Sequence, residues 1–169
     1  MQYQTIGSTP FAVLTAIVAP AILTNASSVL ALGTSNRLAR VVDRTRVVYA
    51  DLAATEPGTL EHQEWIGQLD SLRLRGRLLL TALRLFYAAL GLFAATALVS
   101  AAGSMAAYYG QRILFEGAGV LSVLAGASAV SALTVGCIVM VHETRLAMQS
   151  LAEEARIRTT RRQAPPWAG

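Results

Sequence analysis

The chain has 169 residues, enough for one ordinary domain, and is 54% apolar but only 14% charged, where an average soluble domain carries about a quarter charged residues. All fourteen basic residues are arginine and the formal net charge is +4, yet the arginines crowd around uncharged stretches instead of spreading over one face, which argues against nucleic acid as a partner. The single cysteine, Cys137, excludes an internal disulfide and any thiolate-built zinc or iron–sulfur site.

Three windows, Phe11–Leu32, Leu85–Met105 and Val120–Val141, contain no charged residue. A helix of 22 residues, the length of the first window, rises about 33 Å, sufficient for a hydrocarbon core of about 30 Å. The fold class expected is therefore all-α: an integral membrane protein with three transmembrane helices whose cytosolic extensions form a helical hairpin or a three-helix bundle. Thirteen of the fourteen arginines fall between the first two windows, at the start of the second or after the third, and only Arg112 falls between the second and third. The positive-inside rule then puts the N-terminus outside and the C-terminus in the cytosol.

In chain order, residues 1–10 are a short neutral lead-in, and 11–32 form span one, read as a retained span and not a cleaved signal because no positive segment precedes it. Pro20 sits within this span and predicts a kink near Ala16–Pro20. Thr24, Asn25, Ser27 and Ser28 follow; Thr24, Asn25 and Ser28 are the candidates for polar packing inside the membrane, because an amide is costly when it faces lipid.

Residues 34–80 read as a cytosolic helical hairpin with its turn at 56–60, around Pro57-Gly58. On the first arm Leu38, Val41, Val42, Thr45, Val48, Tyr49 and Leu52 share an arc of about 120°, with Arg37, Arg40 and Arg44 on an adjoining face. Asp43 stands three residues from both Arg40 and Arg46, a spacing worth ~0.2–0.5 kcal/mol on an exposed helix. On the second arm Trp65, Leu69, Leu72, Gly76 and Leu79 form a narrow stripe, with Arg73, Arg75 and Arg77 off it. Neither arm is stable alone, and burying the two stripes together is what holds them.

Span two occupies 81–104, with Arg84 placed to snorkel to the headgroups. An external loop covers 105–119, where Tyr108 and Tyr109 suit the interfacial belt, and span three covers 120–141. Both later spans are rich in the small residues that let helices approach closely. A cytosolic helix follows at 142–158, with Thr144, Met148, Leu151 and Ala155 at helical spacing, and 159–169 reads as a flexible tail. Trp65 on the hairpin and Trp167 in the tail are candidate anchors for a partner.

No constellation for catalysis, cofactor or metal binding is legible. His62 and His142 both lie away from mid-bilayer, His142-Glu143 lacks the second histidine of a zincin motif, and no span carries a carboxylate or basic residue at its centre. The segment Asn36-Arg37-Leu38-Ala39-Arg40-Val41-Val42-Asp43-Arg44, directly after the first span, resembles the signature of the bacterial domain of unknown function 2721 family. The Arg73–Arg84 segment entering span two and His142-Glu143-Thr144-Arg145-Leu146 leaving span three are similar to the same pattern, and the resemblance covers roughly residues 10–155. It implies a small helical protein of the bacterial inner membrane with about three spans, and supplies no activity, cofactor or site residue.

The reading that follows is a non-enzymatic accessory, structural or assembly subunit, whose partners are the lipid bilayer and either a larger membrane complex, such as a respiratory or photosynthetic one, or further copies of itself. Two alternatives stand beside it. One is a small oligomeric channel or transporter lined by Thr24, Asn25 and Ser28. The other is a membrane-surface sensor whose Arg37, Arg40 and Arg44 edge reads anionic lipid, each arginine being worth about 1 kcal/mol near the surface. Arg46, Arg73, Arg75, Arg77 and Arg84 complete the set expected to contact headgroups or fix topology.

Overall fold

A computed structural model describes the backbone of residues 10–163 and the side chains of Val18 and of residues 20–149. Three helices account for nearly all of it: α1 (Pro10–Ala54), α2 (Leu60–Tyr108) and α3 (Arg112–Gln163), with no strand among the described residues. The lead-in at 1–9 and Trp167 lie outside the described residues, and α3 is helical into the stretch read from the sequence as a tail. Leu60–Tyr108 and Arg112–Gln149 are each long and apolar enough to cross a membrane. Most side chains of residues 10–19 lie outside the described residues, and Pro20 is accommodated within the continuous helix α1.

The α1–α2 connection runs through Pro57-Gly58, where Gly58 adopts φ +92°, a left-handed conformation that costs glycine nothing. Thr59 caps α2, its Oγ1 accepting from the His62 backbone N–H at 3.2 Å, and Glu61 in the first turn favours the helix dipole. At the other end of α2 the backbone N–H groups of Gly110 and Gln111 donate to the carbonyls of Ala107 and Ala106 at 3.0 and 2.9 Å. With Gly110 at φ +72° this is a Schellman termination.

That termination corrects the expected external loop at 105–119, because the chain turns within Tyr109–Gln111 and α3 begins at Arg112. Gly103 is buried in α2, and a Cβ placed there would lie 2.8 Å from the Cβ of Ala118 on α3.

The chain divides into two compact units, Met1–Gly33 with Leu83–Gly136, and Thr34–Ala82 with Cys137–Gly169. In the first, Ala89, Phe93 and Ala129 form the buried core, with Leu23, Leu92, Ala132 and Leu133 packed against it. Phe86 is fully buried on Gly136, where an added Cβ would lie 2.6 Å from the ring. Ser100 and Ser122 exchange a hydrogen bond at 3.1 Å between α2 and α3. This is packing by small residues and short polar links, the pattern that serves helices without a hydrophobic drive between them.

In the second unit Val41, Val48, Leu69 and Leu79 are buried, and Val41 Cγ1 lies 3.8 Å from the position of a Gly76 Cβ. The buried stripe of α1 is narrower than the apolar arc read from the sequence: Val41 and Val48 are inside, while Val42 and Tyr49 are exposed. On α2 all five stripe residues are at least half-buried. On α3 the expected stripe is displaced by one residue, since Thr144 and Met148 are exposed while Glu143 is buried and Ala147 half-buried. The physical reason for that displacement is the site described next.

Candidate functional site

The three helices of the second unit each contribute to one ionic cluster. The α3 register that buries Ala129 and Gly136 buries Glu143 seven residues further on, leaving its side chain 2% exposed. A carboxylate taken out of water costs several kcal/mol unless it is paired and hydrogen-bonded. Both its oxygens are met. Arg75 of α2 donates from Nε to Oε1 at 3.0 Å, and Arg37 of α1 places Nη1 at 3.6 Å from Oε2. Arg37 Nη1 also donates to Thr144 Oγ1 at 3.2 Å, and that hydroxyl in turn donates to the Met140 carbonyl at 3.0 Å. One carboxylate thereby fixes two guanidinium groups from two different helices.

The cluster opens into a cleft of about 450 Å³. Arg37, Arg40 and Arg44, successive members of one helical face of α1, line it together with Arg75 of α2 and Glu143 of α3. Val41, Leu72, Ala147 and Met148 supply the apolar remainder. Four guanidinium groups face a single carboxylate that two of them already share. Arg40 Nε donates only to the Asn36 carbonyl of its own helix, at 3.4 Å, and neither Arg40 nor Arg44 has a carboxylate partner among the described residues. The cleft therefore carries a strong positive potential.

The other arginines singled out from the sequence lie apart from this cleft. Arg46 pairs at 4.0 Å with Asp43, both largely exposed, so the pair is worth little. Arg73 donates to the Tyr49 hydroxyl at 2.6 Å and lies 3.6 Å from Asp70. Those two neighbours, the hydroxyl above all, raise the Arg73 guanidinium above its ordinary range and keep it charged. Arg77 and Arg84 are exposed, and Trp65 is half-buried.

In the first unit Asn25 is exposed and Thr24 half-buried, and the exposed Ser28 returns its hydroxyl to the Thr24 carbonyl at 3.0 Å. The polar residue buried on that face is Ser27, whose Oγ donates to the Leu23 carbonyl at 2.8 Å. Cys137 is a free, half-buried thiol. No group of histidine, cysteine or carboxylate side chains suited to a metal ion occurs among the described residues.

The residue missed from the sequence is Glu143, which looks solvent-directed because it is charged and follows the last apolar window. The signal that finds it is spacing, since it continues the heptad of Ala129 and Gly136 onto the buried side.

A family model described as "Protein of unknown function (DUF2721)" matches residues 17–153. No curated protein and no solved structure matches the chain.

Proposed function

Since the chain belongs to the DUF2721 family, whose description assigns no activity, we propose a role from geometry: a non-enzymatic accessory, structural or assembly subunit held laterally against a larger complex of the bacterial inner membrane. In this reading 11–32, 81–104 and 120–141 cross the bilayer, the N-terminus lies outside, and the hairpin and C-terminus lie in the cytosol. Respiratory and photosynthetic complexes are candidate hosts. The apolar length of α2 and α3 supports the membrane placement, as does the crowding of thirteen arginines on one side of the expected topology.

The observation that carries the subunit role is Asn25. It stands in an uncharged stretch, is exposed on its own unit, and has no hydrogen-bond partner among the described residues. A carboxamide facing lipid is unfavourable, and in membrane helices such groups bond across to a neighbouring helix. A partner helix with a hydroxyl, amide or free carbonyl satisfies it. Purification in a mild detergent tests this: the wild-type chain co-purifies with a membrane protein, and Asn25→Leu loses it while keeping its own helix content. Recovery of wild-type protein as free monomer alone overturns the role.

The same amide supports a second reading, in which several copies assemble and Asn25 lines a solute path. Self-association without a foreign subunit selects that reading, and flux through reconstituted vesicles that is unchanged in Asn25→Leu eliminates it.

A further inference from the structure

We infer that the cleft among Arg37, Arg40, Arg44 and Arg75 is a binding site for a phosphate-bearing anion. Three observations carry it. The first is charge: four guanidinium groups line the cleft, and the one carboxylate there is consumed by Arg37 and Arg75. Like charges stacked at three- and four-residue spacing on one helix repel, and an anion between them removes that repulsion. A lone carboxylate is too weak a match for this excess, whereas a phosphate offers more charge and several acceptor oxygens to forked donors.

The second is preorganisation. Arg75 spends its Nε on the buried Glu143, so its two Nη groups have no protein acceptor among the described residues. Glu143 acts as a positioning residue: it holds guanidinium groups of α1 and α2 in fixed places beside the cleft. The third is shape. Val41, Leu72 and Met148 give the cleft an apolar floor that accepts the organic part of a phosphate ester.

Two sources present this chemistry. Arg37 follows the first apolar window by a few residues, Arg75 precedes the stretch proposed as the second span, and Glu143 follows the third window just after His142. In the proposed topology that is headgroup depth, where an anionic phospholipid supplies the phosphate. A soluble phosphate ester entering from the aqueous side supplies the same group, and only the lipid source depends on the membrane placement proposed above. Neither depends on an accessory role.

The test uses the full chain in nanodiscs of phosphatidylcholine, with pyrophosphate added at matched ionic strength in one arm and phosphatidylglycerol in the discs in the other. The readout is affinity, compared among wild type, Arg40→Gln/Arg44→Gln, and Arg46→Gln as the off-cleft control on the same helix. Binding in either arm that falls about tenfold or more in the double variant and stays unchanged in the control supports the site. A response to pyrophosphate identifies a soluble ligand, and a response to phosphatidylglycerol alone identifies a headgroup. No binding in either arm, or equal loss in the control, overturns it. A second measurement separates ligand from internal pairing. Glu153 and Glu154 lie further along α3, with side chains outside the described residues. In ligand-free discs the double variant keeps or raises the melting temperature if the arginines await an anion. A lowered melting temperature means that the chain itself supplies the counter-charge, and overturns the proposal.

Discussion

The unit of Met1–Gly33 with Leu83–Gly136 and the unit of Thr34–Ala82 with Cys137–Gly169 draw on the same three helices. Both bury residues at seven-residue spacing: Ser27, Thr34, Val41 and Val48 along α1, Leu79, Phe86 and Phe93 along α2. What fills those positions differs. In the first unit they are small residues and two phenylalanines, and the closest approaches are at Gly103 and Gly136. In the second they are Thr34 and aliphatic residues plus Glu143, which needs arginines from two other segments. One periodicity thus supports two kinds of cohesion, steric fit in one unit and apolar burial with a buried charge in the other. Steric fit fails when volume is added, and a buried charge fails when its neutraliser is removed.

The largest effect is expected from breaking the charge. Glu143→Ala leaves Arg75, itself three-quarters buried, beside an empty position. Removing one partner of a buried pair costs about 3–5 kcal/mol, and the half-exposed Arg37 puts this case at about 3 kcal/mol. Amide hydrogen exchange should show lost protection in the second unit, with the first unit retaining its own. Equal loss in both units would mean that the two forms of cohesion are not separable.

Adding volume is the reverse test. Gly103→Ala forces a Cβ to within 2.8 Å of the Ala118 Cβ, an atom fixed to the α3 backbone. Overpacking of this kind costs about 1–3 kcal/mol. Gly136→Ala meets the Phe86 ring at 2.6 Å, and because a ring can be shortened, Phe86→Leu in the same chain should recover part of the loss. Gly33→Ala is the internal control: nothing lies within 4 Å of its added Cβ, so the helix gains about 0.5–1 kcal/mol over glycine. Thermal unfolding in one detergent ranks the three variants, and a destabilising Gly33→Ala would remove steric fit as the explanation.

The same contrast explains what was legible in the amino-acid sequence. Three helices, the break at Pro57-Gly58 and the apolar length of α2 and α3 follow from periodicity and the absence of charge, which are local properties. The turn at Tyr109–Gln111 was not legible at its true length. Glycine reads alike whether it relaxes φ, as Gly110 does, or admits a neighbouring helix, as Gly103 does, and only the partner distinguishes them. The cleft was half legible: Arg37, Arg40 and Arg44 announce a cationic edge by spacing alone. Arg75 and Glu143 join it through pairing between helices, and a rule that sends charge to solvent points Glu143 the wrong way.

The smallest effect is expected at Tyr49 and Arg73, a direct side-chain link between α1 and α2 in the second unit, with a 2.6 Å hydrogen bond. Tyr49 lies exposed outside the buried stripe, and more than half of the Arg73 side chain is open to water. Solvent competes for both groups, so Tyr49→Phe should leave the melting temperature nearly unchanged, in contrast with Glu143→Ala. The pH dependence separates the two links further. The Tyr49 hydroxyl, followed by Asp70, holds the folded-state pKa of Arg73 above the ordinary guanidinium value. A raised basic group contributes its stability in full below the unfolded value and loses it only as pH climbs through the folded one. Any contribution of Arg73 is therefore constant throughout the physiological range and declines only in strong alkali. If Tyr49→Phe altered the slope of stability against pH between neutrality and mild alkali, the hydroxyl would be coupled to a group other than Arg73. The distinction between a solvated link and a buried one would then need redrawing at this position.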